Sequence, residues 1–128
     1  MKNAKRFFKC SICGKIIDIV EDKGPIVVCC GKKMDELVAN TTEAAEEKHI
    51  PEVQVNDNKV RVQVGSVLHP MIKEHYIGWV YVQTNKGGQY KSLEIDKDPV
   101  AEFALTEDEK VLEVYAYCNL HGLWKVEL

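Results

Sequence analysis

The chain has 128 residues, and its 17 lysines and arginines stand against 20 aspartates and glutamates, which gives a net charge of −3. General nucleic-acid binders are usually basic, so this balance argues against that class. No apolar run approaches the ~20 residues that a membrane span needs, and the opening MKNAKRFFKC lacks the apolar core of a secretory signal. Five cysteines in a chain without such a signal predict a cytosolic protein with metal-binding or catalytic thiols, because disulfides are rare in the cytosol.

The first segment, residues 1–37, is typical of short strands joined by turns. The candidate strands are Arg6–Lys9, Lys15–Val20 and Pro25–Cys29, and glycines mark the turns between them. A unit of under ~40 residues buries too little apolar surface to fold without a staple. We therefore predict a small N-terminal domain held together by a metal.

The cysteines of this segment supply the ligands for such a metal. Cys10 and Cys13 form a C-x2-C pair, and Cys29 and Cys30 follow as neighbours. Four thiolates in a tetrahedron suit zinc or a single iron. Because adjacent residues of a strand point to opposite faces, Cys29 and Cys30 reach one metal only if the backbone bends, so we expect a distorted tetrahedron. Two disulfides, unrelated buried thiols and a purely structural zinc staple are the alternatives.

The stretch 40–48 (NTTEAAEEK) predicts a short helix or helical turn in the boundary region of two domains, 1–37 and 38–128. Asn40 is placed to cap it, and Glu43 is placed to complete a capping box. Pro51 ends the helix, since the residue before a proline favours extended geometry.

From Glu52 onward the apolar residues alternate with polar ones, which predicts strands. The first two form a hairpin that carries Val53, Val55, Val60, Val62 and Val64 on one face. Further strands are predicted at Tyr76–Thr84, Gln89–Ile95, Val100–Leu105, Val111–Tyr117 and Leu123–Glu127. Seven short strands without long helices predict an antiparallel sandwich or barrel.

All four histidines and the fifth cysteine lie in this second segment, at His49, His69, His75, Cys118 and His121. Cys118 and His121 are spaced to chelate one ion, and the loops at the end of a sandwich lie close together. A single histidine is more often a surface or core residue than a ligand. If all five side chains bind one metal, zinc is disfavoured and one coordination position stays open for redox or Lewis-acid chemistry.

The pair Glu47-Lys48 directly precedes His49. Such a pair at a helix end is ordinarily a solvated surface feature. Beside an open metal site, however, Lys48 would supply the local positive charge that an anionic substrate needs, because the chain as a whole is negative.

Taken together, these motifs resemble the desulfoferrodoxin family of two-iron superoxide reductases. The matching motifs are Cys10-x2-Cys13, Cys29-Cys30, Glu47-Lys48-His49-x-Pro51, His69-Pro70, His75 and Cys118-x2-His121. The resemblance implies a desulforedoxin-like N-terminal domain with an iron in four thiolates, and a seven-stranded immunoglobulin-like β-sandwich with the catalytic iron. It implies that the four histidines are equatorial ligands and that Cys118 is the axial one.

The resemblance also implies the reaction and its participants. Superoxide, one electron and two protons would give hydrogen peroxide, with Lys48 drawing in superoxide and positioning a proton-donating water. Glu47 would occupy the sixth position of the ferric iron. A rubredoxin would be the electron donor and the protein would be a homodimer, while the first iron would be structural or an electron relay. A pure electron carrier and a zinc-stapled interaction module are the competing hypotheses.

Overall fold

The computed structural model describes residues 5–128, so the part of the N-terminal predictions that falls on the first four residues lies outside it. The chain forms two compact units, Met1–Val38 and Ala39–Leu128. In the part of the chain that the structure describes, no helix is long and apolar enough to cross a membrane.

The first unit consists of short antiparallel strands. They are β1 (Phe7–Lys9), β2 (Ile16–Asp18), β3 (Val28–Cys29), β4 (Lys32–Lys33) and β5 (Asp35–Leu37). β1 lies between β2 and β5, and β3 pairs with β4 as a separate hairpin. The three predicted strands are present but shorter than predicted, whereas β4 and β5 were not predicted because they carry few apolar residues.

The core of the first unit is small. Phe8, Cys10 and Met34 are buried together, and only partly buried apolar side chains pack against them. On the surface, the Arg6 guanidinium forms ion pairs with Asp22 and Glu36. Because exposed ion pairs contribute little stability, this unit depends on whatever binds its cysteines.

The second unit contains one short helix and two antiparallel sheets. Its elements are α1 (Glu46–His49), β6 (Pro51–Asn56), β7 (Lys59–Val64), β8 (Ile77–Thr84), β9 (Gly87–Ser92), β10 (Val100–Ala104), β11 (Val111–Cys118) and β12 (Gly122–Glu127). One sheet has the order β10-β7-β6 and the other β12-β11-β8-β9. The mainly β, antiparallel fold predicted from the alternating pattern is confirmed.

Both sheets contribute side chains to one apolar core. Alternate residues of β7, β8 and β11 point into it, among them Val62, Val80 and Cys118, each 0% exposed. In the hairpin, Val55 pairs with Val60 and so shares its face, but it remains 52% exposed because it lies beside the turn. The end of β11 brings Cys118 to the edge of this core.

The short helix or helical turn predicted over 40–48 is present, but it begins later than predicted and the predicted cap is wrong. Helix α1 covers only Glu46–His49, and its N-cap, Ala45, makes no side-chain capping bond. Asn40 instead holds Lys125: its side-chain amide donates to the Lys125 carbonyl at 3.1 Å, and its Oδ1 accepts the Lys125 N–H at 2.9 Å. Asparagine bonds the backbone readily in non-helical conformations, and here a distant strand takes the place of the local cap.

Candidate metal centres

The four cysteines of the first unit converge. The sulfur atoms of Cys10, Cys13, Cys29 and Cys30 all lie within 4.8 Å of one another. Cys29 Sγ is 3.7 Å from Cys13 Sγ and 3.9 Å from Cys30 Sγ. A disulfide needs about 2.05 Å, and the structure holds all four residues as free thiols. The cluster has the number and type of donors that a tetrahedral metal site requires.

A tight turn brings the adjacent cysteines to the same side. Cys30 and Gly31 are the two central residues of the β3–β4 turn, and their φ angles are 54° and 73°. Positive φ at both positions is the geometry of a type I′ turn, which is unusual for a cysteine. The backbone bend expected for neighbouring ligands is therefore present at Cys30.

The thiols of this cluster influence one another's protonation. Backbone N–H groups of Cys13 and Ile12 point at Cys10 Sγ and lower the pKa of Cys10 to about 6. Proximity to Cys10 and then Cys13 raises the pKa of Cys29 to about 12. Cys10 thus forms a thiolate readily while Cys29 keeps its proton, and a bound cation would take the place of that proton.

In the second unit the four imidazoles form a square. Neighbouring ring centroids lie 4.7 Å apart for His49–His69, 4.5 Å for His69–His75, 5.1 Å for His75–His121 and 4.9 Å for His49–His121. The diagonal from His49 to His75 is longer, at 6.4 Å. Neighbouring rings are nearly perpendicular, with interplanar angles of 77–86°. Four imidazoles placed in this way can surround one ion in a plane.

The ring nitrogens that face one another are spaced as ligands of one ion. His49 Nε2 lies 3.1 Å from His121 Nδ1 and 3.2 Å from His69 Nε2. Two nitrogens at about 2.1 Å from a metal and at right angles are about 3 Å apart. Cys118 Sγ lies 3.8 Å from His121 Nδ1. The donor atoms of His49, His75, Cys118 and His121 all lie within 4.8 Å of one another, and His69 joins this set through His49.

Hydrogen bonds orient two of the rings. His49 Nδ1 lies 2.7 Å from the Ala45 carbonyl, one helical turn back, and His69 Nδ1 lies 2.7 Å from the Pro70 carbonyl. Each carbonyl accepts the Nδ1 proton and leaves the Nε2 lone pair free for a metal.

His75 has an unsatisfied ring nitrogen in the square. Its Nε2 is buried and has no hydrogen-bond partner among residues 5–128. A buried polar nitrogen without a partner is costly, and a metal ion at this position would satisfy it.

Burial favours the neutral form of three of these imidazoles, those of His49, His69 and His75. Desolvation lowers the pKa of His69 to about 4 and lowers the pKa values of His49 and His75 as well. Burial raises the pKa of Cys118, while backbone N–H groups of Leu120 and His121 lower it. Neutral imidazole is the form that binds metal. At Cys118 burial outweighs the two N–H groups and favours the protonated thiol, whose proton a bound cation would replace.

Glu47 and Lys48 lie in α1 beside this square, and both are exposed. Burial is the main cause of the lowered pKa of His49; the charge of Lys48 adds to it and that of Glu47 opposes it. Both side chains are therefore close enough to act electrostatically on the imidazoles. Their predicted roles remain predictions.

Sequence reasoning missed Trp124. Its ring stacks on His49 with centroids 4.9 Å apart, and its Nε1–H donates to the His121 carbonyl at 3.1 Å. Trp124 is 2% exposed and so links two of the imidazoles from inside the fold. Its position on a predicted strand did not indicate this contact, because His49 and Trp124 are separated in sequence by most of the second unit.

The structure also shows how Glu47 is held in place. The Glu47 carbonyl accepts hydrogen bonds from the Val67 N–H at 2.9 Å and the Ser66 hydroxyl at 3.2 Å. Gly65 allows this approach, because a Cβ there would lie 2.5 Å from the Glu47 carbonyl oxygen and 2.9 Å from the Lys48 carbonyl carbon. The segment that carries Glu47 and Lys48 therefore packs directly against a residue without a side chain.

We expect Gly65→Ala to lower the free energy of unfolding by about 1–3 kcal/mol, the usual cost of overpacking, because backbone must move to admit the methyl group. Denaturant unfolding measures this loss. Gly78→Ala is the matched control, since a Cβ there would meet the Tyr76 ring at an ordinary 3.8 Å. If Gly65→Ala and Gly78→Ala are equally stable, the backbone at Gly65 does not pack tightly against the Glu47 carbonyl group.

The fold and the two clusters define a class: a mainly β protein with a candidate four-thiol metal site in one unit and, in the other, a candidate site of three histidines and one cysteine that His69 adjoins. A family profile described as Desulfoferrodoxin matches residues 41–127, and one described as Desulfoferrodoxin, N-terminal domain, matches residues 2–37. The chain belongs to the desulfoferrodoxin family, which confirms the resemblance seen in its sequence.

Individual relatives are similar over nearly the whole chain. A desulfoferrodoxin homolog of Archaeoglobus fulgidus is 39% identical over 125 residues, which are 98% of each chain. The desulfoferrodoxin of Nitratidesulfovibrio vulgaris is 38% identical over 127 residues, 99% of each chain. The crystal structure of the superoxide reductase from Treponema pallidum superposes with a TM-score of 0.84 at 42% identity, covering 98% of this chain and 100% of that one. The four-cysteine cluster and the histidine–cysteine cluster match the two iron sites of desulfoferrodoxin.

Proposed function

We propose that this protein is a superoxide reductase that reduces superoxide to hydrogen peroxide. The observation that carries the proposal is the convergence of His49, His75, His121 and Cys118, which His69 joins through its contact with His49. The Nε2 atom of His75 is buried there and unpartnered within residues 5–128. The close structural similarity to the superoxide reductase of Treponema pallidum supports it.

The cofactors are two iron ions per chain, one for each cluster. We assign the first to Cys10, Cys13, Cys29 and Cys30 of a domain at residues 1–37. The second is assigned to His49, His69, His75, Cys118 and His121 of a domain at residues 38–128. These five side chains would hold the second iron, and five protein donors would leave it able to bind a small substrate as well.

The chemistry divides between the iron and the chain. The ferrous ion supplies the electron that converts superoxide, with two protons, into hydrogen peroxide. Lys48 supplies positive charge at the site and would orient a water that delivers a proton. Glu47 has a carboxylate on the same exposed segment, where it would fill the open position when the iron is ferric. Cys118 would place negative charge on the side opposite the substrate.

Each turnover consumes one electron, so the protein needs an external donor. From the family resemblance we propose a rubredoxin as this donor and a homodimer as the working state. Free thiols at all five cysteines fit a reducing compartment, and we propose the cytoplasm. The first iron would relay electrons or only staple its unit. A nucleic-acid or membrane partner is not part of the proposal.

Metal analysis and rapid mixing test the proposal. We expect the purified protein to bind about two irons per chain and to be coloured, with contributions from both centres. The reduced protein mixed with superoxide should yield hydrogen peroxide without releasing oxygen. Oxygen release would indicate a dismutase. A colourless protein that binds only zinc would indicate an interaction module. A second centre whose absorption spectrum does not change when azide is added would indicate an electron carrier.

A further inference from the structure

Asn119 lies between Cys118 and His121 and bonds to the backbone on both sides of His75. Its N–H donates to the Tyr76 carbonyl at 3.2 Å, and its Oδ1 accepts the Tyr76 N–H at 2.9 Å. Its side-chain amide donates to the Glu74 carbonyl at 3.0 Å. Asn119 thus fixes the peptide groups that precede and follow the His75 ring.

His75 lies in a tight turn. Apart from the bonds of Asn119, this turn is closed by hydrogen bonds within its own backbone. Ile72 and His75 exchange two backbone hydrogen bonds, of 3.0 and 3.1 Å. These bonds close the turn, but they do not set its distance from the Cys118–His121 loop across the square. The β8–β11 pairing brings Cys118 opposite Ile77, and the three bonds of Asn119 extend this connection to Glu74 and Tyr76 on both sides of His75.

We propose that Asn119 is a positioning residue that holds His75 in register with Cys118 and His121, so that all three can reach one ion. This inference rests on the proposed function, because it takes His75 to be a metal ligand. Asn119 does not touch the substrate position; it acts through the backbone of Glu74 and Tyr76. Residues that orient ligands in this way typically change metal affinity about 10–100-fold when they are replaced.

The chain contains a matched control for this arrangement. Asn85 makes the same three bonds to another segment: its N–H donates to the Lys110 carbonyl at 3.1 Å, its Oδ1 accepts the Lys110 N–H at 2.8 Å, and its side-chain amide donates to the Asp108 carbonyl at 3.3 Å. Asn85 follows the end of β8, whereas the His75 turn precedes the beginning of that strand. Asn85→Ala therefore removes the same bonds at a distance from the imidazoles.

The test is a chelator challenge of the full-length protein loaded with iron, followed by the visible absorption of the second centre. We expect Asn119→Ala to release this iron about ten times faster than the wild type or more, and Asn85→Ala to release it at the wild-type rate. The midpoint temperature of thermal unfolding should fall by a similar amount in Asn119→Ala and Asn85→Ala. Asn119→Asp keeps the acceptor for Tyr76 and loses the donor to Glu74, so its release rate should lie between those of wild type and Asn119→Ala.

The outcomes separate this inference from the proposed function. If neither Asn119 variant accelerates release, or if Asn85→Ala accelerates it equally, Asn119 does not position His75. A third variant, His75→Ala, tests the ligand itself. Loss of the second iron from His75→Ala together with wild-type release from both Asn119 variants overturns the positioning role alone. Full retention of iron by His75→Ala overturns the ligand assignment of the proposed function.

Discussion

Replacing Cys118 by serine is expected to lower peroxide formation by about a hundredfold or more, since changes to residues that merely orient ligands already cost 10–100-fold. Cys118 is 0% exposed, and this burial raises the pKa of its thiol, while the N–H groups of Leu120 and His121 oppose that rise and would stabilise a metal-bound thiolate. A serine hydroxyl stays protonated near neutral pH, so these N–H groups would face a neutral oxygen instead of a thiolate. The negative charge that the proposal gives to a metal-bound Cys118 would be lost, and we expect the electron to be transferred less readily.

Rapid mixing of reduced Cys118→Ser with superoxide measures this loss, normalised to the iron that remains in the second centre. Ala116→Ser is the control, because Ala116 lies two residues earlier on the same buried face of β11 and does not belong to the square. It introduces a buried hydroxyl and is expected to keep its rate per bound iron. Peroxide formation at the wild-type rate by Cys118→Ser would refute the axial role of this residue.

The thiol cluster could be predicted from the sequence because the spacing of its cysteines within short segments already indicates a shared metal. The spacing of Cys10 and Cys13 defines one half of the site, and the neighbouring Cys29 and Cys30 require the bend that the structure shows at Cys30. The sheets were predictable for a similar reason, since alternation decides which residues of a strand share a face. Short strands without apolar residues, such as β4, carry no such signal.

The histidine square could be predicted only as a set of donors. Chain order does not specify that His49 is diagonal to His75, or that His121 presents Nδ1 while His49 presents Nε2. These features depend on contacts between residues far apart in the chain, as does the stacking of Trp124 on His49.

The failed prediction at Asn40 has the same origin. Its local sequence is that of a helix cap, and a strand 85 positions further on engages its side chain instead. Local patterns supply the candidates for such contacts, and the tertiary structure selects among them.

Lys48→Ala is expected to slow the capture of superoxide by about three- to tenfold and to flatten its dependence on ionic strength. Superoxide is an anion and the chain carries a net charge of −3, so attraction must come from charge near the site. Lys48 directly precedes His49, and its charge contributes to the lowered pKa values of both His49 and His75, for which burial is the main cause. A change of about 1.4 kcal/mol in this attraction changes the capture rate tenfold. A single charge a few ångströms from the substrate supplies an interaction energy of this size.

Stopped-flow measurements at several salt concentrations give both quantities. Lys59→Ala removes an equal charge at the opposite end of β7 from Gly65, roughly 17 Å along a six-residue strand, and should leave the capture rate unchanged. Iron content should be the same in both variants, because neither lysine offers a ligand to the second centre. If Lys48→Ala and Lys59→Ala capture superoxide equally fast, Lys48 is an ordinary solvated side chain, and the attraction must arise from the iron and its imidazoles themselves.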